Sequence, residues 1–122
     1  MKMTNNEIYN IATSLNKAFE DSTQYLPVKV NFYIQKNKAT LSTLAQDIEK
    51  ARISILKEYG TLNSETNQFE FSNEVAPKVV NELNDLFALE QDVDIYMVNI
   101  DNFGDNLSLT TGQMEALMFM IE

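Results

Sequence analysis

The sequence predicts an α+β fold, in which a small antiparallel or mixed sheet of two to four strands packs with about four helices. Apolar residues recur at intervals of three and four in four segments, which is typical of amphipathic helices. Two further segments alternate apolar and polar residues, as half-buried strands do. The chain has 122 residues, of which 44% are hydrophobic. That length suits one hydrophobic core, so we expect a single domain over residues 1–122.

The first helix is predicted to begin after Thr4. Thr4 and Glu7 have the spacing of a capping box, in which each side chain accepts a hydrogen bond from the backbone amide of the other residue. The apolar residues that follow form one stripe at helical spacing: Ile8, Ile11, Leu15, Ala18 and Phe19. Residues 21–23 are polar and are expected to end the helix.

The apolar period changes from about 3.6 residues to two after Pro27. Residues 28–34 are therefore the clearest predicted strand, because β-branched and aromatic side chains alternate there with other types: Val28, Val30, Phe32 and Ile34. Helical spacing returns from about residue 40 to residue 59, with the apolar seam Leu41, Leu44, Ile48, Ala51 and Ile55. Gly60 is placed to end this second helix in the left-handed conformation.

Residues 61–74 form the most polar stretch of the chain. Within them, residues 68–71 alternate in character and predict a short edge strand or one arm of a hairpin. Ser72 or Asn73 is expected to cap a third helix, and Pro77 falls in its first turn, where proline is tolerated.

The last third of the chain predicts a second clear strand and a terminal helix. Residues 92–98 alternate in character, and residues 101–106 have the composition of a turn. Thr110 and Gln113 have capping-box spacing, and the helix that follows carries a stripe of Met114, Leu117, Met118 and Ile121. Phe119 and Met120 lie off this stripe, which makes the helix apolar on more than one side.

The composition removes most common catalytic and metal-binding groups. Cysteine and histidine are both absent, which excludes disulfides, thiolate nucleophiles, histidine bases and the usual zinc sites. We therefore expect a protein that acts by binding, not an enzyme, and we expect no cofactor. No apolar run is long enough to span a membrane, and the first residues lack the apolar region of a signal peptide. The expected location is the cytoplasm.

The negative charge is concentrated in the second half of the chain. Residues 1–60 carry eight cations and six acids, whereas residues 61–122 carry twelve acids and one cation, Lys78. This half repels phosphate, so we expect no direct binding to nucleic acid. It predicts either a solvated surface or an acidic contact surface for a basic partner protein, with these candidate residues: Glu90, Asp92, Asp94, Asp101 and Asp105.

A metal site is not expected among these acids. Mg²⁺ and Ca²⁺ prefer oxygen ligands, which are offered by Asp92, Asp94, Asp101 and Asp105. An EF-hand loop, however, needs its glycine after three acidic positions, whereas Gly104 here precedes Asp105. The turn and an exposed strand face explain the same residues without a metal.

A basic cluster is the second candidate site. Lys29, Tyr33, Lys36 and Lys38 could hold a phosphate-bearing nucleotide by charge and stacking. Alternatively, Lys29 and Asp94 neutralise each other across a sheet formed by the two predicted strands. Only three glycines occur in the chain, which excludes a glycine-rich phosphate-binding loop.

Two apolar surfaces predict a homodimer. The seam of the long helix is widened by Ile53 and Leu56, and the terminal helix has Phe119 and Met120 outside its stripe. A domain of this size can hardly bury both surfaces alone, so one of these helices is expected to meet a second copy across a two-fold axis.

Three segments carry a resemblance to a known family: residues 26–37 (LPVKVNFYIQKN), residues 51–60 (ARISILKEYG), and residues 107–109 with 115–122 (LSL and EALMFMIE). They resemble a family of small uncharacterised proteins encoded by tailed phages and prophages of low-GC Gram-positive bacteria. The resemblance implies a phage accessory protein that acts in stoichiometric amounts in the host cell. The leading hypothesis is an inhibitor of a host or anti-phage defence protein. The alternatives are a sponge for a phosphate-bearing signalling nucleotide and a particle-assembly protein.

Overall fold

The computed structural model describes residues 1–20, 26–104 and 109–122, and within them it has the predicted α+β class. The helices are α1 (Asn5–Ala18), α2 (Val28–Tyr59), α3 (Ala76–Ala88) and α4 (Thr111–Leu117). The strands are β1 (Lys2–Thr4), β2 (Thr61–Asn63), β3 (Gln68–Glu70) and β4 (Glu90–Asp92). They form two separate antiparallel pairs, β1 with β4 and β2 with β3.

The prediction of a strand over residues 28–34 is wrong, because these residues form the first two turns of α2. The buried side chains Val30, Ile34, Asn37 and Leu41 recur at the spacing of one helical stripe, whereas Val28 is 86% exposed. Alternation would have placed Val28 and Val30 on the same buried face. The helix therefore runs for 32 residues, which is about 48 Å at 1.5 Å per residue.

Helix α1 begins as predicted and packs along α2. The Thr4 hydroxyl accepts from the amide of Glu7 at 3.1 Å, and the Glu7 carboxylate accepts from the amide of Thr4 at the same distance. Ile8 and Leu15 of the predicted stripe are fully buried and join Ile34 and Leu41 of α2 in one core. The capped helix thus presents one apolar face to the long helix, which favours their side-by-side packing.

The segment that follows α3 joins the two ends of the chain to the core. Strand β4 pairs with β1, and the N-terminal ammonium of Met1 donates to the carbonyl of Val93 at 3.0 Å. Farther along, the amide of Val98 donates to the carbonyl of Met120, and the amide of Glu122 donates to the carbonyl of Val98, both at 2.8 Å. The predicted strand over residues 92–98 is therefore wrong in extent: regular pairing ends at Asp92, and Val98 forms an isolated parallel bridge with Ile121.

Asn5 holds the end of α3 against the start of α1. Its side-chain amide donates to the carbonyl of Leu86 at 2.8 Å, and its backbone amide donates to the carbonyl of Leu89 at 2.8 Å. Its side-chain oxygen accepts from Gln91 at 2.7 Å. Asn5 is 4% exposed, so one buried side chain joins the end of α3 and strand β4 to the start of α1.

A hairpin after α2 confirms the expected arm at residues 68–71, since β3 pairs with β2 there. The prediction of a left-handed Gly60 is wrong, because its φ is −120°. Glycine is required at position 60 because a side chain has no room there, and not because of the backbone conformation. An added Cβ would lie 2.5 Å from Cε1 of Phe71 and 2.8 Å from the carbonyl oxygen of Leu56. The ring of Phe71 thus closes over the junction between α2 and the hairpin.

The third helix begins later than the sequence predicts. Its N-cap is Val75, while the carbonyl of Ser72 accepts from the amides of Val75 and Ala76 in a preceding turn. Neither Ser72 nor Asn73 caps the helix with a side chain. Pro77 lies in the first turn as expected, where its missing amide costs no helical hydrogen bond.

The terminal helix is capped as predicted but changes geometry before it ends. Thr110 and Gln113 form the expected capping box. The turn predicted before this helix begins as a 3-10 helix over Ile100–Phe103, and residues 105 and 106 of that prediction lie outside the described residues. After Leu117 the chain tightens into a second 3-10 helix, Met118–Met120. This tightening exposes 65% of Met118 and buries Met120 completely, the reverse of what an unbroken α-helix would give.

Candidate functional site

The acidic candidate residues lie on two neighbouring parts of the chain. Glu90 and Asp92 are exposed residues of β4, Asp94 follows them, and Asp101 is exposed on the 3-10 helix at residues 100–103. Asp105 lies outside the described residues. Glu90 and Asp92 are two residues apart in β4, so the strand directs them to the same side, and Asp94 follows just beyond its end.

Cations from the chain's N-terminus lie beside these acids. Lys2 is opposite Asp92 in the β1–β4 register, and its ammonium is 3.6 Å from the carboxylate of Glu90. The N-terminal ammonium of Met1 is bonded to the carbonyl of Val93. The ammonium of Lys2 reduces the local field of these acids. The charge excess of residues 61–122 therefore acts over a wide surface and is not focused at β4.

The other described acids of this half have no described cation within ion-pair distance. The structure describes eleven of the twelve acids in residues 61–122, and ten of those are exposed, with Glu82 half-buried. Among these described residues, Glu90 alone has a cation within ion-pair distance. No three of the described acids converge into a group that could hold a metal ion.

The basic candidate residues are partly gathered by the helix. Lys29, Tyr33 and Lys36 follow at intervals of four and three, so α2 places them on one face. Lys38 lies elsewhere: its ammonium is 3.5 Å from the carbonyl oxygen of Phe19 at the end of α1. Since residues 28–34 are helical, the sheet that would pair Lys29 with Asp94 does not form, and no ion pair between them is present.

Two aromatic residues that the sequence analysis did not select complete this face. Phe32 is 54% exposed, and Tyr96 is 43% exposed. The ring centroid of Tyr33 lies 6.3 Å from that of Phe32 and 5.0 Å from that of Tyr96. We call Lys29, Phe32, Tyr33, Lys36 and Tyr96 the aromatic–lysine face. Phe32 could have been selected by assuming a helix, whereas nothing local links Tyr96 to Tyr33.

Both lysines of this face lie against aromatic rings. The ammonium of Lys29 is 5.7 Å from the centre of the Tyr33 ring, and that of Lys36 is 5.5 Å from the centre of the Phe32 ring. At these distances the cation is attracted by the negative face of the ring. Neither lysine forms an ion pair within the described ranges, so both positive charges remain available to a ligand.

Asn37 fixes the position of Tyr96. Its side-chain amide donates to the carbonyl of Tyr96 at 2.9 Å, and its side-chain oxygen accepts from the amide of Tyr96 at 2.8 Å. Asn37 itself is fully buried. The Asn37 side chain therefore forms the pair of backbone hydrogen bonds that a neighbouring strand would otherwise provide. These bonds hold the irregular segment around Tyr96 against α2 and place the Tyr96 ring beside Tyr33.

Two polar contacts on the other half of α2 change the pKa of their members. Arg52 donates to Glu49 from Nε at 2.8 Å, and this contact holds the pKa of Glu49 below its usual value. Tyr9 also donates to Glu49, at 3.3 Å, which links α1 to this pair. Near the end of the helix, the hydroxyl of Tyr59 donates to the carboxylate of Glu82 at 2.7 Å, and this contact raises the pKa of Tyr59 to about 12.

The contact of Tyr59 with Glu82 predicts a loss of stability at alkaline pH. The unfolded chain releases the Tyr59 proton at its ordinary pKa of 10.0, whereas the folded chain releases it at about 12. The contact therefore contributes fully below pH 10 and is lost as the pH rises through 12. In melts across this range, the advantage of the wild type over Tyr59→Phe should shrink with rising pH. A constant advantage would contradict the prediction.

A groove lies between α1 and the end of the chain. It has a volume of about 360 Å³, and its walls include Ile11, Ser14, Glu115 and Phe119. Gly112 and the exposed Met118 also line the groove, and Gly112 has no side chain that would fill part of it. Ile11, Met118 and Phe119 give the groove an apolar part that suits contact with an apolar surface.

Comparison of the chain with known protein families, with curated proteins and with solved structures finds no match. No helix in the described part of the chain has the length and apolar character that a membrane crossing requires. Two features of the described residues bear on function: a surplus of exposed acids in the second half of the chain, and the aromatic–lysine face on α2.

Proposed function

We propose that this chain is a phage-encoded accessory protein that binds and inhibits a host or anti-phage defence protein in the cytoplasm of the host cell. It acts in stoichiometric amounts, through the acidic surface of residues 61–122. The observation that supports this function is that ten described acids of that half are exposed, and one of them, Glu90, has a cation within ion-pair distance in the described structure.

Electrostatics links this observation to a basic partner. Exposed like charges produce a long-range field that accelerates the approach of an oppositely charged protein and repels phosphate polymers. Surface ion pairs within one protein contribute little to its stability. The excess of acids is thus better explained by recognition than by folding. The absence of cysteine and histidine agrees with a protein that acts by occupying its target.

A capture experiment tests this proposal. The immobilised chain is incubated with lysate of a low-GC Gram-positive host at about 50 mM and about 500 mM salt, because salt screens exposed charges. A triple variant, Asp92→Asn with Asp94→Asn and Asp101→Asn, removes three of the candidate acids. We expect a basic protein to be retained at low salt, and to be retained less by the variant.

The matched control removes the same charge from the other half of the chain. Glu20→Gln, Asp47→Asn and Glu58→Gln are exposed acids of residues 1–60. This control should retain the partner as the wild type does. Equal losses in both variants would show that net charge alone matters, and failure to capture a partner at either salt would contradict the proposal.

We further propose that the chain forms a homodimer. Leu41 and Ile48 of the predicted seam are buried inside the chain, but Ile53, Ile55 and Leu56 farther along α2 are only half-buried, and Met118 is 65% exposed. These side chains gain from burial against a second copy. Light scattering should give twice 13.9 kDa at micromolar concentration, whereas a mass that stays at 13.9 kDa on tenfold concentration would contradict the dimer.

A further inference from the structure

We infer that the aromatic–lysine face is a second binding site, and that its ligand is a dinucleotide: two bases linked through phosphate. This site is independent of the acidic contact surface, because it uses Lys29, Phe32, Tyr33, Lys36 and Tyr96. The face offers exposed rings, two lysines that form no ion pair with any described residue, and a Tyr96 backbone that is held by hydrogen bonds.

The rings provide two places for bases. Phe32 and Tyr96 are 54% and 43% exposed, and the half-buried Tyr33 lies between them. Tyr33 is tilted by 51° from Phe32 and by 40° from Tyr96, so the three rings do not form one flat stack. Each exposed ring is therefore expected to stack with one base. Stacking of this kind is tolerant of base identity, since every base has an aromatic face.

The lysines provide the phosphate contacts. Lys29 and Lys36 are seven residues apart on α2, which is about 10 Å along the helix axis. Their ammonium groups already lie over the rings of Tyr33 and Phe32, so a base on a ring and a phosphate on a lysine are neighbours. An acidic peptide would use the lysines and leave the exposed rings uncovered. A ligand that combines bases with phosphate uses both.

The face is arranged before any ligand arrives. The two hydrogen bonds from Asn37 hold the backbone of Tyr96, and the Tyr33 ring packs at 5.0 Å from the Tyr96 ring. A ring whose backbone is already held in place loses less entropy on binding than a ring on a mobile loop.

The surrounding charge limits the ligand to a short one. Asp94 is exposed and lies two residues before Tyr96, and the chain carries a net charge of −9. A long strand would extend from the face into this negative field, where each further phosphate is repelled. A dinucleotide stays within reach of Lys29 and Lys36. Apart from the statistical gain of a strand that offers several overlapping dinucleotide sites, affinity should therefore not increase with the length of the strand.

Calorimetry at low salt tests the inference with four probes: the linear dinucleotide pApA, the strand dT10, tripolyphosphate and a glutamate-rich peptide. The wild type should bind pApA, and it should bind dT10 at most about tenfold more tightly than pApA. Phe32→Leu keeps an apolar side chain but removes the ring, and should weaken pApA binding by about tenfold. Lys36→Gln should weaken it severalfold. Lys57→Gln, an exposed lysine near the other end of α2, is the matched control and should bind as the wild type does.

Five results would overturn the inference. The first four are no heat with pApA, equal binding by Phe32→Leu and the wild type, binding of tripolyphosphate as tight as that of pApA, and binding of the peptide with the same dependence on Phe32. The third would indicate charge alone, and the fourth would indicate an acidic protein partner. Affinity for dT10 that exceeds that for pApA by much more than tenfold would assign the face to single strands and contradict the limit on length. Circular dichroism of each variant confirms that the exposed substitutions leave the fold intact.

Discussion

Replacement of Asn37 by leucine is expected to lower the free energy of unfolding by about 3 kcal/mol, because two backbone groups lose their partners. The side chain of Asn37 is fully buried and makes hydrogen bonds with both the amide and the carbonyl of Tyr96. Leucine has the same number of non-hydrogen side-chain atoms and is bulkier than asparagine, so the loss does not come from a cavity. Denaturant unfolding at neutral pH measures the change directly.

The control for this experiment is Asn84→Ala. Asn84 is exposed on α3, and alanine has the higher helix propensity, so stability should change by less than about 0.5 kcal/mol or increase slightly. If Asn37→Leu unfolds at the same denaturant concentration as the wild type, the bonds to Tyr96 do not hold residues 93–98 on α2. The ordered position of the Tyr96 ring would then have to come from packing alone.

Gly60→Ala is expected to destabilise the protein by about 2 kcal/mol through steric overlap. The added Cβ would lie 2.5 Å from the Phe71 ring and 2.8 Å from the carbonyl oxygen of Leu56. The ring has to move off the helix end, and the last turn of α2 has to shift. The backbone at Gly60 is extended, so conformational strain contributes nothing to this loss.

Gly112→Ala is a matched control with the opposite expectation. Gly112 lies in the first turn of α4, and the nearest atom to an added Cβ there is 3.9 Å away. Alanine at this position should be neutral or stabilising, because glycine is the poorer helix former by up to about 1 kcal/mol. Thermal melts of both variants measure the contrast. Equal melting temperatures of the two glycine variants would show that Phe71 does not pack closely over Gly60. In that case, adding Phe71→Ala to Gly60→Ala should restore no stability.

Features that depend on neighbouring residues could be predicted from the sequence. The capping boxes at Thr4 and Thr110 are formed by side chains three residues from the cap, and both occur as expected. The hairpin arm at residues 68–71 follows from a short alternating segment beside a polar turn. These contacts need no information about distant parts of the chain, because their partners are local.

The strand expected at residues 28–34 was wrong for a physical reason. The segment fits both a strand and a helix. Val30 and Ile34 each lie two residues from another apolar residue, as in a strand, and they lie four residues from each other, as on one face of a helix. What decides between helix and strand is the continuation of the buried stripe through Asn37 to Leu41. A buried asparagine breaks the apolar pattern, and its reason for being buried is a contact with Tyr96, 59 residues away.

The candidate sites were predictable to different degrees. Lys29, Tyr33 and Lys36 were selected as neighbours in sequence, and helical geometry brings them onto one face, but it separates Lys38 from them. Tyr96 joins that face only through tertiary packing, which no local pattern encodes. The charge excess of residues 61–122 follows from the sequence alone, whereas Lys2 reaches Glu90 only because β1 pairs with β4.

The central claim of this account is that the chain acts by occupying a basic partner in stoichiometric amounts. The most direct test is to titrate the activity of the captured partner, once purified, with increasing amounts of the chain. We predict that inhibition is complete at one equivalent of chain per partner binding site, and that added salt weakens it. Complete and lasting inhibition at a small fraction of one equivalent would mean that the chain turns over, and would contradict the claim.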